Sequence, residues 1–254
     1  MRALVKMVEV ETKLFLRDSA TVIFGVLFPT GLLLGLGAIP ALGEPTPETG
    51  GLRPIDVWAP TALVFGMVMI AVQHIPAVIG TYRERGILRR LSTTPAHPRR
   101  VLLAQMTVAF ASVVVSAALL IVCGWAVLDI APPERPLEFV AAFVIGYAAL
   151  LGLGMISAAV VRTSGAANQI GTVLFVALMF FGGAFLPRVL MPDVLREVGE
   201  FVPPGLQALT AAWSAEAGEI TATAGGQPFL LQIAIMTGIA VIATGIAAKL
   251  FRWE

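Results

Sequence analysis

Six uncharged, mostly apolar runs divide the chain, at 19–43, 57–82, 101–128, 139–161, 163–187 and 220–248. Each exceeds the ~20 residues that an α-helix needs to cross the hydrocarbon core of a bilayer. The pattern predicts an all-α membrane protein. Its six spans fall at about 20–43, 57–81, 101–128, 139–161, 165–187 and 229–248, in a single transmembrane domain over 1–254. The polar stretches between the runs also have periodicity. In 1–18, Arg2, Lys6, Glu9, Lys13 and Arg17 recur every three or four residues beside Ala3, Met7, Val10 and Leu14. That predicts an amphipathic helix lying in the membrane interface, with lipid against its apolar stripe. In 188–219, Leu190, Met191, Val194, Leu195, Val198, Phe201 and Val202 form a second stripe, broken by Pro203-Pro204. The expectation there is two short, re-entrant-type helices dipping into the opposite interface before the last span.

Composition supports this division: 57% of residues are hydrophobic and 13% charged, against roughly 25% charged in soluble domains. The net charge of +1 conceals an asymmetry. With both termini in the cytoplasm, all but four of the 17 Lys and Arg residues (Arg53, Arg135, Arg188 and Arg196) lie on the inner side. Positively charged loops stay inside, so both ends are expected in the cytoplasm. The first run is not a secretory leader, because Glu9, Glu11 and Asp18 precede it and it is too long. Cys123, the single cysteine, sits inside the third run as a packing residue, with no disulfide or thiolate cluster to join.

Candidate chemistry is sparse. The sequence has no phosphate-cradling Gly-x-x-x-x-Gly-Lys-Ser/Thr loop, no His-Glu-x-x-His and no Gly-x-Ser-x-Gly. No catalytic, cofactor-binding or metal-ligating set is predicted, and no nucleic-acid partner. His74, beside Gln73 and near Pro76, is the one histidine inside a span. With no carboxylate inside any span, a proton relay through it lacks a partner. It reads as a hydrogen-bonded packing residue, a water-facing group near a kink, or the centre of an intramembrane lipid-modifying enzyme. Phe24, Phe28, Phe175, Met179 and Phe180, with His74, are the candidates for lining a substrate path, because aromatic and thioether groups receive apolar ligands of varied shape. Gly31 and Gly35 have the four-residue spacing of a close helix contact.

The densest charged block, between the second and third runs, reads Tyr82-Arg83-Glu84-Arg85-Gly86-Ile87-Leu88-Arg89-Arg90-Leu91-Ser92-Thr93-Thr94-Pro95. Ile87, Leu88 and Leu91 make the apolar stripe of a short helix, which Thr94-Pro95 closes. By itself the block is a topology anchor. Taken with the basic interfacial helix, the six spans and the paired helices before the last, it resembles the permease subunits of type-2 ABC exporters, which include drug, antibiotic and polyketide efflux permeases. Their inner loop commonly reads Glu-Arg-Glu-x-Gly-Thr-Leu-Glu, followed by Thr-Pro. Arg83, Glu84, Gly86, Leu88, Thr94 and Pro95 match it, while Tyr82, Ile87 and Arg89 depart from it.

The resemblance implies that 84–91 is a coupling helix docked on a cytoplasmic ATPase subunit, with Arg83, Glu84, Arg85, Gly86, Leu88, Arg89, Leu91, Thr94 and Pro95 at the contact. Leu88 and Leu91 would plug the partner's groove, and Glu84 would pair with a cation or cap an amide there. Two ATPase copies would bind the ATP and Mg, this chain holding no cofactor. A second permease chain, identical or a paralogue, would complete the pathway in a bacterial cytoplasmic membrane. The implied cargo is a hydrophobic or amphipathic drug, antibiotic or natural product. A lipid or lipid-linked glycan is the alternative.

Overall fold

The computed structural model describes residues 2–49, 51–92, 98–182, 185, 192–223 and 227–251. Among them, six helices are long and apolar enough to cross a membrane: Ser19–Gly37, Pro54–Glu84, Arg100–Leu128, Pro136–Val160, Ser164–Phe181 and Phe229–Leu250. No strand occurs among the described residues. The N-terminal helix, Arg2–Arg17, packs on the third span. Its buried positions, Glu11 and Phe15, lie beside the stripe legible in the sequence, and Val10 and Leu14 of that stripe remain exposed.

The first run does not stay one helix. Ile39 is extended before Pro40, so the spanning helix ends at Gly37 and a separate turn occupies Pro40–Gly43. The sixth run also divides. Three short helices, Asp193–Glu200, Leu206–Trp213 and Ala215–Thr223, precede the last span where two are expected, and Ile220 belongs to the third of them. Leu206–Trp213 is buried on nearly every side, with Gln207, Ala208, Leu209, Thr210, Ala212 and Trp213 all enclosed. Leu190 and Met191 lie outside the described residues.

The second span is the axis of the bundle. It is 72% buried, against 28% for the first, 22% for the fifth and 17% for the sixth. Its backbone widens into a π-helical turn at Met69–His74, and the first span does the same at Val22–Leu27. Both turns sit just ahead of a proline, Pro76 and Pro29. Proline has no N–H for the carbonyl four residues back and its ring crowds that turn, so the helix accommodates it by adding a residue. Ser116 of the third span donates to the carbonyl of Val26 in one such turn (3.0 Å). Against the other lies Gly154 of the fourth span, where any Cβ would collide with the Ala71 carbonyl oxygen. The π turns and the glycine opposite them set how closely these spans approach. Gly31 and Gly35, by contrast, have no atom within 4 Å of a built Cβ and make no close helix contact within this chain.

Candidate functional site

A cavity of about 480 Å³ opens between the N-terminal helix and the first, second, third and fifth spans, at the end of the bundle that carries the basic loop. Both π turns contribute to its wall, through Phe24 and Gly25 on one and Met69, Gln73 and His74 on the other. His74 is buried and is not without a carboxylate. Asp18, the N-cap of the first span, accepts from the backbone N–H of Thr21 (3.3 Å) and from its hydroxyl (2.6 Å). With that hydroxyl proton committed to Asp18, Thr21 Oγ1 accepts from His74 Nδ1 at 3.0 Å, and the ring lies 3.6 Å from the Asp18 carboxylate. Nε2 lies 3.5 Å from Gln105 Nε2. Phe15 meets the ring edge-on at 5.3 Å. The His74 contact first, then the Thr21 hydrogen bonds, hold Asp18 well below the usual carboxylate range against the opposing effect of burial. Glu11 lies deeper. The Tyr82 hydroxyl donates across both its oxygens (2.8 and 2.9 Å), while burial pushes its carboxyl above the usual range.

The wall of this cavity continues into the loop block. Tyr82, Arg83 and Glu84, three consecutive residues at the end of the second span, grip three different parts of the bundle. Tyr82 holds Glu11 of the N-terminal helix. Arg83 donates to the carbonyls of Ala158 and Val161 at the end of the fourth span (2.5 Å each), and its guanidinium lies 4.9 Å from the centre of the Phe251 ring, just past the sixth. Glu84 accepts from the backbone N–H and the hydroxyl of Ser164, the first residue of the fifth span (3.0 Å each). A cation thus sits on a helix C-terminus and a carboxylate on a helix N-terminus, each matched to the local end of the backbone dipole. Gly80 permits the approach: a Cβ there would stand 2.9 Å from the backbone of Thr163 and Ser164.

These contacts revise the expected roles in the loop. Glu84 caps an amide of its own chain instead of a partner's. Leu88 is 1% exposed, so it is an internal anchor and not a free knob, because the helix Ile87–Ser92 rests on the ends of the second and third spans. Gly86, at φ +64°, turns the chain between the clamp and this helix in a conformation that side chains resist. Arg85 and Arg90 are exposed. Thr94 and Pro95 lie outside the described residues, as do the side chains of Arg89 and Leu91.

The expected path residues separate into groups. Phe24, Phe28 and Phe175 join through Phe65 into one ladder across the first, second and fifth spans, with ring centres 6.0, 4.7 and 5.0 Å apart in turn. Phe24 belongs to both the ladder and the cavity. Met179 is buried in the core, and Phe180 pairs edge-on with Phe181. A family model for the ABC-2 type transporter matches residues 2–205. The chain belongs to this family. Among curated proteins, none matches the sequence. The protein is therefore the multi-pass membrane component of an ABC-2 transporter, of a kind that works with an ABC ATPase subunit.

For the ABC-2 permease, periodicity alone misses Glu11, Asp18, Thr21, Gln105 and Phe65. Glu11 and Asp18 fall outside every apolar run, and Gln105 is a single amide inside one. The available signals were Asp18 directly before an uncharged run, which marks an N-cap, and an acidic residue one turn before Phe15 on the helix face that the chain itself covers.

Proposed function

We propose that this permease is the membrane half of an ATP-driven exporter in a bacterial cytoplasmic membrane, with both termini inside. Two permease chains, identical or paralogous, would enclose the pathway, and two cytoplasmic ATPase subunits, which bind the ATP and Mg, would engage the inner loops. The cargo is a hydrophobic or amphipathic small molecule such as a drug, antibiotic or natural product. The ladder Phe24–Phe28–Phe65–Phe175 offers it an aromatic track outward from the cavity. The first and fifth spans that flank this track expose Ile23, Leu27, Val173 and Val176, an apolar margin for lipid or for the second half.

The observation that carries the reading is the three-residue clamp. A displacement of the helix Ile87–Ser92 passes through Gly86 to Tyr82–Glu84, and from there to the N-terminal helix and the fourth, fifth and sixth spans together. ATPase closure that favours one position of that helix would shift the bundle between its inward- and outward-facing arrangements. Arg85 and Arg90 are exposed charges beside the clamp, on the side that a cytoplasmic partner would meet. The double variant Arg85→Glu/Arg90→Glu should insert normally, lose about tenfold or more in ATPase retention during purification, and fail to export. Full retention and export in that variant would return the block to a topology signal.

A further inference from the structure

The first and second spans pack in antiparallel register, and their two π turns lie opposite each other. Thr21 bonds His74 across the contact at 3.0 Å. Four residues further along the first span and four back along the second, a Cβ on Gly25 would stand 2.8 Å from the Ile70 side chain. Four more in each direction, a Cβ on Gly66 would stand 2.8 Å from the Pro29 ring. Val22–Leu27 and Met69–His74 fill the middle of this ladder. Contacts every four residues drift around a helix of 3.6 residues per turn, and a wider turn on both sides keeps them on one line.

Pro29 and Pro76 give these turns a second property. Neither supplies an N–H. Gly25 and Val72, four residues back from them, and Ala71, five back from Pro76, therefore lose the donor that an α or π turn would provide. Each of these three carbonyls is met by a glycine of a neighbouring span. Gly66 faces the Gly25 oxygen, and Gly171 of the fifth span faces the Val72 oxygen, each with 3.0 Å to a built Cβ. At the Ala71 oxygen, Gly154 of the fourth span leaves no room for a Cβ at all. Contact there runs through Cα–H groups, which are weaker than the N–H bonds of an uninterrupted helix. The second span is thus least held by its own hydrogen bonds at the level where three neighbours touch it, and the cavity opens on the same turn at Met69, Gln73 and His74.

We propose that the paired π turns are the joint of the bundle. Ile75–Glu84, which carries the clamp, is an arm that swings at Met69–His74 against Pro54–Val68, and the turn Val22–Leu27 is its bearing. The Cα–H contacts are given up and re-formed as the arm moves, at less cost than breaking the hydrogen bonds of the flanking helix. The cavity, whose wall both turns form, changes shape with it. This deepens the transport cycle proposed above and rests on it: it names the place where the second span bends when the loop helix is driven.

The test is hydrogen–deuterium exchange, read by mass spectrometry, on the permease–ATPase complex in phosphatidylcholine–phosphatidylglycerol nanodiscs. It is run without nucleotide and after trapping with ATP, Mg and vanadate. Without nucleotide, the amides of 70–79 should exchange at least about tenfold faster than those of 62–68 on the same span. Pro76→Ala returns an N–H to the turn and leaves the cavity open, so it should slow 70–79 by about tenfold and leave 62–68 unchanged. Fast exchange caused by water access alone would persist in that variant. Trapping should change exchange at 70–79 and at 22–27. Gly171→Ala sets a methyl against the Val72 carbonyl and should cut that change at least about fivefold. Gly35→Ala, at a glycine with open space around it, should leave the change intact. Should Gly171→Ala fail to assemble, Pro76→Ala decides by itself. Equal exchange in the two segments, no slowing by Pro76→Ala, or the same response in Gly171→Ala and Gly35→Ala would overturn the joint. Trapping that alters Ile87–Ser92 and not 70–79 overturns the joint and leaves the coupling reading standing. Trapping that alters neither removes the coupling reading, and the joint with it.

Discussion

The two ends of the bundle are held together by different means. At the basic end, side chains tie helix ends to one another: Tyr82 to Glu11, Arg83 to Ala158 and Val161, Glu84 to Ser164. At the far end the ties are largely backbone and buried area. The N–H groups of Glu134 and Arg135 donate to the carbonyls of Trp213 and Ala212, and the Trp213 indole donates to the Ala131 carbonyl at 3.1 Å. Trp213 is itself enclosed and packs edge-on against Phe139 at 5.6 Å. Arg53 adds a fork on Asp56 and reaches the carbonyls of Leu128 and Asp129. Long side chains on helix termini can release and re-form without unfolding a helix. A buried short helix cannot leave without exposing its whole surface. The basic end is therefore held by contacts that could transmit movement, and the far end by contacts that would resist it.

The largest effect that would sharpen this contrast lies at the far end. Trp213→Ala removes a buried indole, its hydrogen bond and its contact with Phe139. The expected loss is about 3–5 kcal/mol, read as a lowered melting temperature and poor recovery of folded protein. Arg83→Ala, at the basic end, should cost less in stability, about 1.5–3 kcal/mol for charge-assisted hydrogen bonds, yet should abolish export in protein that still reaches the membrane. If Arg83→Ala were the more destabilising of the two, or left export intact, the division between transmitting and resisting ends would be wrong.

The smallest effect concerns Tyr82. Burial raises the Glu11 carboxyl and the Tyr82 hydroxyl partly restrains that rise. A carboxyl raised in the folded state binds its proton more tightly there than in the unfolded chain. Its contribution is therefore most favourable at low pH and is lost as pH climbs from the ordinary carboxylate value through the folded one. Tyr82→Phe removes the restraint, so it should cost about 1 kcal/mol near pH 8 and much less near pH 4. Melting curves of both proteins across that interval read the difference directly, and a deficit that did not depend on pH would detach Tyr82 from Glu11.

The six spans and the basic loop were legible because length and charge density survive in one dimension. What could not be read was which face meets which neighbour. Periodicity at 1–18 marks a stripe, yet Glu11 lies on the adjacent face that the third span covers, where hydropathy places no acid. The stripe of Ile87, Leu88 and Leu91 predicts a helix equally well whether Leu88 points to a partner or into its own bundle, and the structure selects the second. The partner of His74 was invisible because Asp18 stands outside the span and reaches it only through folding. The π turns have Pro29 and Pro76 as their only sequence trace, and most prolines in spans mark a plain kink.

The clamp also has an electrical consequence. Arg83 and Glu84 are adjacent and of opposite sign. A single charge carried through the membrane field does work of about 2.3 kcal/mol per 100 mV, whereas a joined cation and anion do almost none. A shift that carries the two together would therefore do almost no work of its own against the membrane potential.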